Sequence, residues 1–240
     1  MKIEVKAIAL RTQEKVIFEP ALGSIMDDVD ELTDAAEQEW LANWVAGPGD
    51  KRSKPLDSGS AAPDLEMLDH TGASRKLSEF WSDGSALLMY WRHFGCGCGL
   101  DRASRLNEEL ADYRAAGITP VIIAQGEPAR AAEYRERYDI PCTILCDPNH
   151  EAYRAYGLDH FGVEGVLYDA PEETWCHSEE IGLKFIQARR EINRPLVDDP
   201  WMATAEFLVA GSGKILVSYG YQYCEDFPDS RLFLMASKIN

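Results

Sequence analysis

The segment 86–115 joins an uninterrupted apolar run, a short glycine-rich loop and an amphipathic stretch without any linker between them. Residues 86–91 are all apolar, which is typical of a strand that is buried on both faces of a sheet. The loop places Cys96 and Cys98 between three glycines, and apolar residues then recur at helical spacing from about residue 99. This order predicts a sheet flanked by helices, with two thiols at a strand-to-helix junction.

The alternation of strands and helices continues over residues 57–240. The predicted strands are 65–68, 86–92, 118–124 and 142–146, with a closing hairpin of 205–210 and 214–221, and the predicted helices are 99–115, 127–138, 149–156 and 229–237. Residues 158–201 are predicted to form an irregular insertion with one helix. The expected fold class is α/β, with a central mixed β-sheet flanked by helices.

Residues 1–56 are predicted to form a small N-terminal extension and a linker. Short strands are expected at 3–7 and 16–18, followed by an amphipathic helix over about 25–45 and then by a stretch rich in glycine and proline. Between residues 27 and 39 the helix carries seven acidic residues and no basic one. These acids are interpreted as a solvated face, with a docking surface for a basic partner as the alternative.

The balance of charge bears on the partners of the chain. Twenty-four basic and 41 acidic residues give a formal net charge of −17, which repels nucleic acid and anionic membrane surfaces, so neither partner is expected. The longest apolar run has six residues, and the first six residues alternate apolar and charged side chains. Neither a membrane span nor a signal peptide is predicted, and a cytoplasmic location is expected.

The cysteine loop is where the sequence indicates chemistry. Backbone N–H groups and the helix dipole at a helix start favour a thiolate, and Arg92, His93 and Arg102 lie close enough in sequence to support it. Two alternatives stay open: Cys96 and Cys98 could simply pack in the loop, or they could form half of a metal site. The other cysteines and the five histidines make no paired ligand motif, so no metal and no cofactor are predicted.

Four further cysteines lie outside this loop. Cys142 and Cys146 fall on one predicted strand and are interpreted as core residues. Cys224 follows the last strand and could serve as a distal resolving thiol, while Cys176 in the insertion is a second candidate for an extra redox thiol. The insertion itself is expected either to cover the cysteine loop as a lid or substrate wall, or to extend the core.

An ordered series of landmarks runs through the chain. They are Gly59-Ser-Ala-Ala-Pro63-Asp-Leu-Glu-Met-Leu, Leu77-Ser-Glu-Phe80, the strand with its cysteine loop, Tyr138-Asp-Ile-Pro-Cys-Thr-Ile-Leu-Cys-Asp147-Pro, Tyr153-Arg-Ala-Tyr-Gly157-Leu and Glu206-Phe-Leu-Val-Ala-Gly-Ser-Gly-Lys-Ile. In this order they resemble the peroxiredoxin-like proteins of the alkyl hydroperoxide reductase and thiol-specific antioxidant (AhpC/TSA) group. The resemblance covers about residues 57–237 and implies a thioredoxin-like fold.

The resemblance also implies site residues, and the chain departs from the family pattern at several of them. Peroxiredoxins carry Pro-x-x-x-Thr-x-x-Cys; alignment of that motif places Cys98 at the peroxidatic cysteine, with Trp91 and Gly95 in place of the proline and the threonine. The family arginine that precedes the final hairpin corresponds to Thr204. Against the Cys-x-x-Cys pattern of thioredoxins, Cys96 matches the first cysteine and a glycine replaces the second.

The expected function is that of a thiol-dependent oxidoreductase, an antioxidant enzyme that reduces a peroxide or a disulfide. Cys98 is expected to attack the substrate, and Cys96 to resolve the intermediate as an intramolecular disulfide. A thiol reductant, either thioredoxin or a low-molecular-weight thiol, would reopen this disulfide. Many relatives dimerise, so a homodimer is one expected assembly. The alternative is a non-enzymatic thioredoxin-fold protein that senses redox state or binds a partner.

Overall fold

A computed structural model of the protein describes residues 15–238. Its helices are α1 (Lys15–Ala46), α2 (Gly97–Ala115), α3 (Pro128–Arg137), α4 (Glu151–Ala155), α5 (Val163–Leu167), α6 (Glu179–Glu191) and α7 (Ser230–Ala236), with 3₁₀ helices at Leu77–Phe80 and Glu172–Cys176. Its strands are β1 (Glu66–Asp69), β2 (Ser74–Lys76), β3 (Ser85–Tyr90), β4 (Ile118–Ala124), β5 (Thr143–Cys146), β6 (Ala205–Val209) and β7 (Ile215–Gly220). Among these described residues, no helix has the length and apolar character needed to cross a membrane.

The seven strands form one mixed sheet in the order β2-β1-β5-β4-β3-β6-β7. The central strands β3, β4 and β5 pair in parallel. The strands on either side, β1 with β2 and β6 with β7, pair antiparallel with each other and with the centre. The predicted α/β class with a central mixed sheet is therefore confirmed.

Strand β3 supplies side chains to the core on both faces of this sheet. Leu87 and Met89 belong to the hydrophobic cluster on one face, and Leu88 and Tyr90 belong to the cluster on the other. All four are almost completely buried, which is why β3 reads as a continuous apolar run rather than an alternating one. Its carboxyl end, at Tyr90, delivers the cysteine loop to the rim of the sheet.

The N-terminal extension differs from its prediction. Residues 15–46 form the single helix α1, so the strand predicted at 16–18 is wrong and the helix starts about ten residues earlier than expected. A helix pairs its backbone N–H and C=O groups within the segment, whereas a three-residue strand needs a neighbouring strand for the same bonds. The strand predicted at 3–7 lies outside the described residues.

The insertion 158–201 is more regular than predicted, because it contains α5, a 3₁₀ helix and α6. It packs on α1, where the rings of Trp44 and Trp201 stack with their centroids 5.3 Å apart. Glu37 of α1 is buried and forms an ion pair with Arg190 of α6. At least one acid of the predicted solvated face therefore holds α1 to the insertion.

Candidate functional site

The two cysteines of the loop are bonded to each other at the start of α2. The loop begins after Tyr90, and α2 begins at Gly97, two residues earlier than predicted. Cys96 is the N-cap residue and Cys98 lies in the first helical turn; their Cα atoms are 5.3 Å apart and a disulfide joins their side chains. Once the disulfide is reduced, both sulfur atoms lie where the helix dipole favours negative charge.

Arg92, one of the predicted supporting residues, lies against this disulfide. Its Nη1 donates to Cys96 Sγ at 3.2 Å, and its Nη2 donates to the carbonyl oxygen of Pro200 in the insertion. Burial lowers the pKa of Arg92, and the nearby Cys224 and Asp199 partly offset this effect. Because a guanidinium group stays protonated in proteins, Arg92 brings a buried positive charge to the sulfur atoms.

Cys224 is the third cysteine at this end of the sheet. It forms one buried cluster with Cys96 and Cys98, and Phe227 packs against the three. Burial raises the pKa of Cys224, while the positive charge of Arg92 opposes that rise. The structure thus brings one of the two predicted extra thiols to the disulfide.

A small cavity lies beside Cys98, with room for about one water-sized molecule. It is lined by Trp91, Arg92, Cys98, Gly99, Arg102, Thr204, Tyr221, Cys224 and Phe227. Trp91 and Thr204, which the resemblance aligned with the family proline and arginine, therefore both line the same cavity as Cys98. This position agrees with the alignment that assigned them to the site.

Arg102 of α2, which lines the cavity, forms a buried ion pair with Glu206 of β6. Arg102 Nε and Nη2 donate to the two carboxylate oxygens at 2.6 and 3.1 Å, and Tyr221 Oη donates to Glu206 Oε1 at 2.6 Å. Burial alone would lower the pKa of Arg102, but the charge of Glu206 and its hydrogen bond raise it. These two parallel hydrogen bonds fix α2 to strand β6 one helical turn after Cys98.

His93, the other predicted supporting residue beside the loop, is buried. Burial, and then the charge of Arg92, lower the pKa of His93 well below its usual value, so the ring is neutral at pH 7. Its Nδ1 has no hydrogen-bond partner among the residues that the structure describes. A neutral ring with these surroundings adds no positive charge to the sulfur atoms, and a role as a base stays a prediction.

The insertion lies directly over the loop at Gly95. A Cβ atom at this position would stand 2.5 Å from the carbonyl oxygen of Pro195 and 2.9 Å from Leu196 Cα, both of which belong to the backbone. Arg189 of α6 also donates to the carbonyl oxygen of Gly95. The insertion therefore packs directly on the cysteine loop, and its close approach explains why glycine stands where the family has threonine. Its role as a lid or substrate wall stays a prediction.

Replacing Gly95 with threonine, which restores the family residue, is expected to destabilise the protein by about 1–3 kcal/mol because the new Cβ atom meets backbone that cannot move aside freely. Urea denaturation followed by circular dichroism measures this loss. Gly97→Ala is the matched control, because a Cβ atom there meets only Arg194 Nη2, at 3.7 Å, and the unfolding free energy should change by less than about 0.5 kcal/mol. A Gly95→Thr protein as stable as the wild type would contradict the position of the insertion.

The other three cysteines have different surroundings. Cys142 and Cys146 belong to the core around β5, as predicted, and burial raises the pKa of each thiol to about 12. Cys176 is exposed, and its Sγ donates to the carbonyl oxygen of Glu173 within the same 3₁₀ helix. A redox role for Cys176 stays a prediction. In the part of the chain that the structure describes, no group of three or more His, Cys, Asp or Glu side chains is arranged to hold a metal ion.

Arg189 and Arg194 are site residues that the sequence patterns did not predict. Arg189 Nη2 binds the loop at Gly95, and Arg194 Nη2 lies beside Gly97. Arg189 lies in the last turn of α6 and Arg194 lies three residues after the helix ends, both more than 90 positions away from the loop in sequence. Their proximity to the loop depends on the path of the insertion, which no periodicity in the sequence reports.

Comparisons with known proteins agree with this geometry. Residues 58–167 match the model of the AhpC/TSA family. Over 110 residues the chain is 31% identical to the thioredoxin-like protein AAED1, chloroplastic, of Arabidopsis thaliana, which amounts to 46% of this chain and 42% of that protein. Over 104 residues it is 24% identical to the putative peroxiredoxin bcp of Haemophilus influenzae, and this match covers 43% of this chain and 66% of that protein. The matched part spans about half the length of the curated relatives.

The fold is also similar to that of a solved structure, peroxidoxin BcpB from Mycobacterium tuberculosis. The TM-score is 0.56 at 15% sequence identity, and the match covers 77% of this chain and 97% of that one. This similarity confirms the predicted thioredoxin-like fold, and the family match confirms the resemblance carried by the sequence landmarks.

Proposed function

We propose that this protein, whose residues 58–167 match the model of the AhpC/TSA family, is a thiol-dependent oxidoreductase that reduces a peroxide or a disulfide through Cys96 and Cys98. The observation that carries the proposal is the disulfide at the start of α2, with the buried Arg92 donating to Cys96 Sγ. If the two cysteines only packed in the loop, the guanidinium group of Arg92 would be buried against uncharged sulfur atoms, and burying a charge without an anion beside it is costly. A thiolate formed on reduction supplies that anion.

Cys98 is the attacking residue in the oxidative half of the cycle. It lies in the first turn of α2 and lines the small cavity. Its thiolate attacks one oxygen of the peroxide, the O–O bond breaks, and the departing oxygen takes a proton from solvent and leaves as an alcohol or as water. Cys98 becomes a sulfenic acid.

Cys96 resolves this intermediate. Its thiol attacks the Cys98 sulfur, the hydroxyl group leaves as water, and the intramolecular disulfide forms. With a disulfide substrate, Cys98 instead forms a mixed disulfide, which Cys96 opens by thiol–disulfide exchange with release of the second substrate thiol. In both cases the protein gives up two electrons, which thioredoxin or a low-molecular-weight thiol returns.

The surroundings of the disulfide supply substitutes for the missing family residues. Arg92 carries the positive charge that Thr204 cannot provide at the position of the family arginine. Thr204 is buried and adds a hydroxyl group to the cavity beside Cys98. The small volume of that cavity favours hydrogen peroxide over a bulky alkyl hydroperoxide.

Cys224 offers a further route for exchange. Its cluster with the disulfide would allow its thiolate to attack Cys98, forming a Cys98–Cys224 disulfide and releasing Cys96 as a thiolate. Burial raises the pKa of Cys224, so only a small fraction is thiolate at pH 7 and Cys96 is the faster resolving residue. The cytoplasmic location and the homodimer remain predictions.

The proposal is tested by turnover. Purified protein is incubated with hydrogen peroxide or with 2-hydroxyethyl disulfide in the presence of dithiothreitol, and substrate loss is followed against the reaction without protein. Consumption of either substrate over many equivalents of protein supports the proposal, and the ratio of the two rates identifies the preferred substrate. If neither substrate is consumed faster than without protein, the proposed function is overturned.

Replacing Arg92 with glutamine is expected to slow the reaction of the reduced protein with hydrogen peroxide by about tenfold to a hundredfold, because a hydrogen bond to a charged group is lost at the sulfur atoms. Stopped-flow tryptophan fluorescence measures this rate constant without any reductant present. Arg92→Lys keeps the charge and should lose less than Arg92→Gln does. An unchanged rate constant in Arg92→Gln would show that this charge does not activate the thiols.

A further inference from the structure

Gly97 is the most accessible residue of the cysteine loop. Of residues 91–99, all are buried except Gly97, which lies between the two bonded cysteines. Thiol–disulfide exchange requires the attacking sulfur to reach one sulfur of the bridge. The groups that surround Gly97 therefore decide which reductants can approach.

Two guanidinium groups of the insertion stand beside Gly97. Arg194 Nη2 lies 3.7 Å from the place that a Cβ atom would take at Gly97, and Arg189 Nη2 donates to the neighbouring carbonyl oxygen of Gly95. The two arginines are tied together, because Arg189 Nε donates to the carbonyl oxygen of Arg194 and the Arg194 N–H donates to that of Arg189. The loop is thus bordered by a fixed pair of positive charges.

Among the described side chains, this pair lacks an anionic partner. Within residues 28–238, neither Arg189 nor Arg194 has a carboxylate within ion-pair distance, and Nε and Nη2 of Arg194 are buried without a hydrogen-bond partner. By contrast Arg102 and Arg130, which also lie near the loop, are each paired with buried acids. The chain has a net charge of −17, so acidic side chains are abundant, yet none of those that the structure describes pairs with the two guanidinium groups beside Gly97.

We propose that Arg189 and Arg194 bind the carboxylate of a small thiol that reduces the Cys96–Cys98 disulfide. The proposal rests on the proposed function and names the class of its reductant. Among the described side chains, Nη1 of Arg189 and Nη1 of Arg194 have no hydrogen-bond partner, and a carboxylate oxygen can accept a charge-assisted hydrogen bond from each of them. With the carboxylate held there, the thiol of the same molecule is retained beside Gly97, next to the bridge.

The reaction that follows is balanced within the named groups. The bound thiolate attacks one sulfur of the bridge, a mixed disulfide forms, and the other protein sulfur leaves as a thiolate. A second molecule of the thiol attacks the external sulfur, releasing the small-molecule disulfide and the second protein thiolate. Two small thiols are oxidised, and one protein disulfide is reduced.

The experiment compares three thiols of similar size and different charge: 3-mercaptopropionate, 2-mercaptoethanol and cysteamine. The oxidised full-length protein is mixed with each thiol, and the reaction is stopped by acid and alkylation and read by intact mass. Each rate is divided by the thiolate concentration and corrected for the dependence of thiolate nucleophilicity on the thiol pKa, measured with a small-molecule disulfide as the reference, so that the acidity of the thiol does not enter. We expect 3-mercaptopropionate to react about tenfold faster than 2-mercaptoethanol and cysteamine to react slowest, with the preference weakened in high salt.

Variants assign this preference to the arginine pair. Arg194→Gln should lower the ratio of the 3-mercaptopropionate rate to the 2-mercaptoethanol rate by about tenfold, and Arg194→Lys should retain most of it. The matched control is Arg154→Gln, which removes one exposed positive charge in α4 and should leave the ratio unchanged.

Two results would overturn the proposal: a wild-type protein that reacts no faster with 3-mercaptopropionate than with 2-mercaptoethanol, or an equal ratio in the wild-type and Arg194→Gln proteins. Either result leaves peroxide turnover with dithiothreitol untouched. The failure of this proposal is therefore distinguishable from failure of the proposed function.

Discussion

The Cys98→Ser protein is expected to lose peroxide and disulfide turnover by more than about a thousandfold, because the variant lacks the sulfur atom that attacks the substrate. The hydroxyl group of serine is a far weaker nucleophile than a thiolate at neutral pH. Turnover with dithiothreitol measures the loss. Cys176→Ser is the matched control, since Cys176 is exposed and its Sγ donates within its own 3₁₀ helix, and it should keep wild-type turnover.

The Cys96→Ser protein should behave differently from Cys98→Ser. Its first reaction with hydrogen peroxide still occurs, but the Cys98 sulfenic acid has lost its faster resolving thiol, and only Cys224, whose pKa is raised by burial, can replace it. We expect this sulfenic acid to be trapped by dimedone in Cys96→Ser and to be absent from Cys98→Ser. Wild-type turnover in both variants would contradict the assignment of the two cysteines.

Replacing Arg102 with methionine is expected to destabilise the protein by about 3–5 kcal/mol, because Glu206 would keep a buried negative charge whose main partner is gone. Methionine fills similar space, so the loss reports charge rather than volume. Urea denaturation of the reduced protein measures the change in unfolding free energy. Because Arg102 lines the cavity beside Cys98, we also expect the rate of reaction with peroxide to fall.

Two further variants distinguish the loss of stability caused by breaking the buried Arg102–Glu206 pair from a general effect of removing an arginine. The double variant Arg102→Met with Glu206→Gln removes the buried charge at position 206 and should recover much of the lost stability. The part that is not recovered reports the loss of the second ion pair of Arg102, with the partly exposed Glu109. Arg137→Met removes one member of a surface ion pair with Glu133 and should cost at most about 1 kcal/mol. An Arg102→Met loss as small as that of Arg137→Met would contradict the role given to the buried pair.

The position of the cysteine loop was predictable from the sequence because periodicity reports the burial of each residue. The apolar run of β3 and the helical spacing of α2 limited the loop to within two residues of its place in the structure. The same reasoning failed at 16–18, where three residues are too few to distinguish a strand from part of a helix.

The partners of the loop were not predictable in this way, because they come from distant parts of the chain. Glu206 meets Arg102 only because β6 lies beside β3 in the sheet. Cys224 had a weak signal: β7 runs in the same direction as β3, so the residues after it reach the same end of the sheet as the cysteines. Arg189 had none, since its position depends on how the insertion folds over Gly95.

The insertion also gives a physical reason for the departures from the family pattern. Its backbone occupies the space that a threonine side chain would need at Gly95. It also brings a second source of positive charge to the loop through Arg189 and Arg194. The glycine at position 95 and the path of the insertion therefore depend on each other.

The most direct measurement is the intact mass of the reduced protein after one equivalent of hydrogen peroxide, with alkylation of the remaining thiols and peptide mapping. The expected product has lost about 2 Da and carries its disulfide between Cys96 and Cys98, while Cys142 and Cys146 are alkylated after unfolding. Oxidation that leaves both Cys96 and Cys98 as free thiols would contradict the redox role of this loop.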